Sequence, residues 1–378
     1  MNDRPITILQ VLPKLDTGGA ERVVIEICEA VSRAGHRALI ACNGGGLTQA
    51  ALRAGAQIIT LPLATKSPLG MRRNARRLVK LIRSEKVDLI HAHSRAPAWS
   101  ALWAARRTGI PFVTTYHGAY SENFVLKRRY NAVMAKGDRV IAVSAFIGDM
   151  VQARHGTGDD RLRIIPGGVD VGKFDPAAVL GDRVRRLARD WRLEIGAPTI
   201  LLPGRLTSWK GQKLLISALP LLRHTDAVVV LVGGDQGRVA YTKSLIGHAE
   251  ALGVADRLRI VGHSEDMPAA MMLADIVVNA STDPEAFGRT IIEAQAMGRM
   301  VIAADHGGAR ESIQHEHTGL LFPPGNAAAL AAAIDRVLDM PAEHRIGFGQ
   351  YARAVIAQKS SVAAMQQAVL AVYGELLA

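Results

Sequence analysis

The stretch PTILLPGRLTSWKGQKLLISAL, residues 198–219, decides how this chain folds. An apolar run ends in Pro-Gly, a short loop carrying two cations follows, and a helical pattern then begins. A strand apolar along its whole length is buried on both faces, the condition of a parallel sheet covered by helices. The same unit recurs on both sides of it. Upstream lie ITILQVL (6–12), RALIACN (37–43), QIITLPL (57–63), DLIHAH (88–93), PFVTTYH (111–117), DRVIAVS (138–144) and RLRIIPG (161–167). Downstream follow AVVVLVGG (227–234), RLRIVGH (257–263), ADIVVNA (274–280), RMVIAAD (299–305) and GLLFPPG (319–325). The interruption between the two series, GGVDVGKFDP and an Arg-rich segment, marks a boundary. The reading is α/β, two doubly wound Rossmann-like domains over 1–172 and 173–359. Residues 360–378 form an apolar C-terminal helix free to pack on either domain.

A chain of 378 residues with 49% hydrophobic and 21% charged residues has a large core and is not disordered. Its opening lacks a secretory apolar region and no run approaches the ~20 residues of a membrane span. A cytoplasmic protein is expected. Cys28 and Cys42 have no second pair, so buried free thiols are expected instead of zinc or disulfides. The formal charge of +12 is unevenly placed: residues 1–170 hold 25 Lys/Arg against 13 Asp/Glu, and the remainder is balanced. The front domain therefore faces something anionic.

In open parallel sheets ligands bind at the carboxyl ends of strands, so the loops after each run carry the chemistry. After the first strand, Gly18 and Gly19 let the backbone approach a ligand, and the helix beginning near Ala20 aims free N–H groups at an anion. A tight turn with a glycine at positive φ explains them as well. Arg205 and Lys210 together suit a diphosphate, although either alone would more often be a solvated surface charge. PEAFGRTIIEAQAMG (284–298) places two carboxylates around an apolar helix. If that helix starts near Gly288, the amides of Phe287, Gly288, Arg289 and Thr290 form a positive N-terminus. Glu285 lies in the loop before it and Glu293 within it, where it can accept from ligand hydroxyls. The bland alternatives are a dipole-stabilising acid and a partner for a core arginine. His117 ends a strand and reads by itself as a core histidine, and His91 and His93 as packing and hydrogen bonding.

The set TGGAE, YHG, GRLTSWKG and E-x7-E, followed by VIAADHGGARESI and TGLLFPPG, resembles family-4 retaining glycosyltransferases of GT-B fold over nearly the whole chain. The resemblance implies domains facing across a cleft, a nucleotide-sugar donor (GDP- or UDP-linked) held by the rear domain and an acceptor held by the front one. It implies that Arg205 and Lys210 stabilise the leaving diphosphate, that Glu293 holds ribose hydroxyls, and that Glu285 and His117 contact the transferred sugar. Gly18 and Gly19 would meet phosphate and acceptor. Reaction on one face of the sugar, with the leaving phosphate taking the acceptor's proton, follows from the same likeness. No Asp-x-Asp is present, so no metal and no further cofactor are expected.

LGMRRNARRLVKLIRSEK puts Met71, Ala75, Leu78, Val79 and Ile82 on one helical face and Arg72, Arg73, Arg76, Arg77, Lys80 and Arg83 on the other. Lys127, Arg128 and Arg129 form a second basic cluster. These residues suit attachment to the inner face of the cell membrane, where an anionic, lipid-linked glycan would be the acceptor. An ordinary surface helix is the alternative. The run YHGAYSENFVLKRRYNAVMAKGDRVIAVS is similar to bacterial lipopolysaccharide core glycosyltransferases, several of them mannosyltransferases. Arg289 replaces the branched apolar residue usual in the wider family, which leaves the donor sugar open. A nucleotide-sugar epimerase on the same fold and a basic nucleic-acid-binding protein are the competing readings. The second finds no recognised motif and few aromatics, so no nucleic-acid partner is expected.

Overall fold

The computed structural model describes residues 4–16, 18–194 and 196–377. The chain forms two compact units, one made of Met1–Gly167 with Val362–Ala378 and the other of Gly168–Ser361.

The first unit is built on a seven-stranded sheet of β1 (Thr7–Val11), β2 (Arg37–Cys42), β3 (Ala56–Thr60), β4 (Leu89–Ala92), β5 (Phe112–Tyr116), β6 (Arg139–Ala142) and β7 (Leu162–Ile164). The order is β3-β2-β1-β4-β5-β6-β7, and every pairing is parallel. The second holds β8 (Thr199–Pro203), β9 (Val228–Val232), β10 (Leu258–Gly262), β11 (Ile276–Asn279), β12 (Met300–Ala304) and β13 (Leu320–Phe322) in the order β10-β9-β8-β11-β12-β13. Each apolar run contains one of these strands, except that β3 begins one residue before its run, at Ala56. Alternate residues serve opposite faces: Ile200 and Leu202 join one buried cluster while Leu201 joins another. Both faces are dry, so neither permits a polar alternation.

Each sheet is doubly wound, with one switch point where the chain reverses its direction of progress across the sheet. In the first unit it lies between β1 and β4, and in the second between β8 and β11. A crevice opens at the carboxyl ends of such neighbouring strands because their following connections diverge to opposite faces. The loop after β1 leads to Gly18 and that after β4 begins at His93. The loop after β8 carries Arg205 and Lys210, and that after β11 carries Glu285.

The helix Val362–Leu377 packs on the helix Gly19–Arg33, its Met365, Val369, Val372 and Tyr373 entering the core that holds Ile8, Ile27 and Cys28. Gln366 fixes the pairing, donating to the Glu26 carbonyl at 2.6 Å and accepting from Arg33 at 2.9 Å. The final helix thus completes the first unit. Cys28 and Cys42 are buried and unpaired, and burial raises both thiols' pKa.

Candidate active site

In the second unit the loops after β8 and β11 are drawn together by backbone contact, the Thr282 amide donating to the Trp209 carbonyl at 2.8 Å. Gly211 makes this possible. It adopts φ +73°, and a Cβ there would lie 1.8 Å from the Ala280 carbonyl oxygen, so a side chain is barred by both strain and space. The result brings Lys210 onto Glu285, which form a direct ion pair with side chains 14% and 10% exposed. Lys210 also sits 4.4 Å from the centroid of the Trp209 ring, a cation–π contact.

Glu285 accepts further hydrogen bonds from Ser281 at 2.6 Å and Asn279 at 3.4 Å. Burial pushes its pKa up, but the Lys210 charge and the hydrogen bonds from Lys210, Ser281 and Asn279 outweigh it and hold the carboxyl below its ordinary value. It is ionised at neutral pH. Arg205 behaves differently: it is exposed and makes no ion pair among the described residues. Its backbone is held by buried Gln212, which donates to the Arg205 carbonyl at 2.9 Å and accepts from Tyr241 at 3.1 Å.

The helix predicted near Gly288 runs from Arg289 to Ala296, with Gly288 as its cap and no side chain capping it. Glu293 therefore lies one turn in, and Arg289 Nε reaches its carboxylate at 3.2 Å. Both carboxylates of the E-x7-E element thus have a protein cation as partner. A core-arginine role for Glu293 and a ligand role are compatible here, since Arg289 stands at the helix N-terminus beside Thr290.

In the first unit Gly18 caps the helix Gly19–Arg33 without a side-chain hydrogen bond. The positive-φ explanation of these glycines does not hold, because Gly18 is extended at φ −169°. A Cβ on Gly18 would meet only the movable carboxylate end of Glu21, at 2.3 Å, and one on Gly19 would meet nothing within 4 Å. The approach to Gly19 is open. Thr17, the first residue of TGGAE, lies outside the described residues. His117 follows β5 and is partly buried, its Nε2 2.9 Å from His93 Nδ1. Burial lowers its pKa to about 4, so the ring is neutral at physiological pH.

Several residues that hold the site are given no role by the sequence reading. Gly307 and Gly308 clamp the Glu285 loop: Gly308 N–H donates to the Glu285 carbonyl at 2.8 Å, and a Cβ on Gly307 would lie 2.5 Å from that oxygen. His306 Nε2 donates to the Ser281 carbonyl at 2.8 Å. The HGGAR run belongs to the motif set, and its pair of glycines before a helix was the available clue.

Residues 17–173 match the family model of Glycosyltransferase Family 4, and residues 185–355 that of Glycosyl transferases group 1. A glycosyltransferase from Rickettsia africae is 34% identical and superposes with a TM-score of 0.90, covering 99% of both chains. The chain belongs to the GT-B glycosyltransferases. Anabaena Alr3699/HepE, solved in complex with UDP-glucose, matches this glycosyltransferase at 26% identity and TM-score 0.85 over 98% of this chain and 100% of that one. The D-inositol 3-phosphate glycosyltransferase of Salinispora tropica is 33% identical over 277 residues, 66% of this chain. The match spans 56% of that relative's length and 61% of its Salinispora arenicola counterpart's.

Proposed function

We propose that this glycosyltransferase moves a hexose from a GDP- or UDP-linked donor to a lipid-linked glycan at the inner membrane surface, as in lipopolysaccharide core or other envelope polysaccharide synthesis. The observation that carries the donor half is the meeting of Lys210, Glu285 and the uncapped Arg289–Ala296 helix at the switch point of the rear sheet, with Arg205 exposed in the same loop as Lys210. The structural neighbour that holds UDP-glucose supports the same donor class.

As the bond between anomeric carbon and phosphate breaks, negative charge gathers on the diphosphate. Fixed cations and amides pointed there lower the barrier because they need no reorganisation during the reaction. In our reading Arg205 and Lys210 supply that charge without a metal. The acceptor oxygen bonds to the anomeric carbon on the face the diphosphate leaves, and its proton passes to the departing phosphate, giving retention. Glu285, kept ionised by Lys210, orients the sugar and steadies the positive charge growing on it. Glu293 and Arg289 bind the nucleoside end.

The acceptor half draws on the front unit. Between the helices Pro68–Glu85 and Arg95–Thr108 lies a groove of about 570 Å³ lined by Arg72, Arg76, Lys80, Arg83, Arg107 and Trp103. Phe124, Val125 and Leu126 are 60–70% exposed, directly before Lys127, Arg128 and Arg129. Apolar side chains standing clear of the surface beside cations suit an anionic leaflet, each cation adding about 1 kcal/mol. No helix among the described residues is long and apolar enough to cross a membrane, so attachment in this reading is peripheral.

A thermal-shift screen with UDP-, GDP- and ADP-sugars tests the donor assignment, since a ligand that binds only the native state raises its stability. A GDP- or a UDP-sugar should raise the melting temperature; a response to neither would remove the donor assignment.

A further inference from the structure

A continuous chain of hydrogen bonds runs from His117 through the interior of the first unit to its final helix. His117 Nε2 lies 2.9 Å from His93 Nδ1, and His93 Nε2 lies 2.7 Å from Gln10 Oε1. Gln10 Nε2 lies 3.0 Å from the Tyr373 hydroxyl, which is 2.7 Å from His91 Nδ1. His91 Nε2 ends the chain 2.7 Å from Thr115 Oγ1. Beyond His117 every member is at most 4% exposed.

Because each link holds one hydrogen, the proton positions are not independent. The Gln10 carbonyl oxygen can only accept, so His93 carries its proton on Nε2. His93 is neutral, burial and the neighbouring His91 and His117 lowering its pKa well below the ordinary value. Its Nδ1 is therefore bare and must accept, which requires His117 to carry its proton on Nε2. At the other end the Gln10 amide donates to Tyr373, leaving the phenolic hydrogen for His91 Nδ1 and the His91 Nε2 hydrogen for Thr115. The assignment satisfies every link in one direction.

His117 Nδ1 has no hydrogen-bond partner among the described residues, and it is not among the buried polar atoms left without one. We propose that Gln10, His93, His91 and Tyr373 act as positioning residues that lock His117 in the Nε2–H tautomer, so that its Nδ1 lone pair accepts a hydrogen bond from a hydroxyl of the bound sugar. His117 is then an acceptor and neither a cation nor a proton donor towards the ligand. The ligand half of this inference rests on the donor-sugar reading of His117; the tautomer half does not. It also assigns a task to a helix far from the motifs in sequence, since Tyr373 is the hinge of the relay.

The test is a two-bond 1H–15N correlation spectrum of the ligand-free full chain labelled at histidine nitrogen, at pH 7.5. The His117 signals are assigned by their loss in His117→Gln. The expected pattern is one tautomer with Nε2 protonated and Nδ1 bare. Tyr373→Phe, which keeps the ring but removes the hydroxyl, should move the two His117 shifts towards each other as the second tautomer becomes populated. Gln10→Leu cuts the chain at another link and should do the same if the first variant fails to fold. A protonated Nδ1 or a tautomer mixture in the wild-type chain would overturn the proposal, as would a folded variant in which both His117 shifts are unchanged. Failure of the nucleotide-sugar screen would leave these spectra as they are, so the two readings fail separately.

Discussion

Lys210 and Glu285 neutralise each other in a nearly dry setting, and each one's removal is felt by the other. Lys210→Ala strands an ionised carboxylate, which costs about 3–5 kcal/mol when a buried pair is broken from one side. Pairing the change with Glu285→Gln should restore much of that stability, because an amide needs no counter-ion and still reaches Ser281. Urea midpoints of the single and double variants measure the difference; equal midpoints would mean the pair is not coupled as the geometry states. The histidine relay has its own signature. With its folded pKa at about 4 against about 6.5 when unfolded, His117 binds more protons in the unfolded state across that interval. His91 and His93 shift in the same direction. Stability should therefore fall as pH drops from about 6.5 towards 4, and the depressed pKa of Glu285 extends the loss to lower pH. A urea midpoint at pH 5 equal to that at pH 7.5 would contradict the buried neutral rings. At this scale the sequence discloses the candidate site residues but not their partners. Glu285 and Glu293 are legible from spacing within one motif. Gln10, His93 and Tyr373 meet only because β1, β4 and the last helix converge, and no local pattern announces that.

The elements themselves are the legible part. The strands coincide with the apolar runs to within a residue because a strand buried on both faces admits few polar residues, and the helix Pro68–Glu85 buries the Met71, Ala75, Leu78, Val79 and Ile82 face that its periodicity marks. What periodicity cannot show is how loops dock. Gly211 looks like any turn glycine in the sequence, yet the approach of two strand ends depends on it. Gly211→Ala should destabilise the second unit by at least ~2 kcal/mol, combining strain at positive φ with a backbone clash, and a chemical denaturation curve within 0.5 kcal/mol of wild type would refute that role. The segment Phe124–Leu126 calls for the opposite result. Serine at all three positions should leave stability nearly unchanged, since exposed side chains contribute little. It should weaken binding to anionic vesicles in a flotation assay, as should reversal of Arg73, Arg76 and Arg77 to Glu. Unaltered flotation in both sets would remove membrane attachment from the account.

For the whole molecule, charge and chemistry are divided between the units. The basic excess belongs to the front one, and the carboxylates with their cations belong to the rear one. The sequence reveals this partition because charge can be summed along a chain without knowing its fold. It leaves open where the final helix packs, since an apolar stripe names no partner; only Tyr373 and Gln366 in place show that it completes the first unit. The central claim is that fixed cations of the rear unit neutralise a departing diphosphate. Lys210 is a compromised probe because its loss also disturbs Glu285, whereas Arg205 is exposed and its removal disturbs no ion pair among the described residues. The decisive measurement is the single-turnover rate of Arg205→Ala with the nucleotide-sugar that stabilises the wild-type chain. The account predicts an unchanged melting temperature with a rate reduced by about 10²-fold or more, the usual consequence of removing one preorganised charge-stabilising group. A rate close to wild type would contradict it.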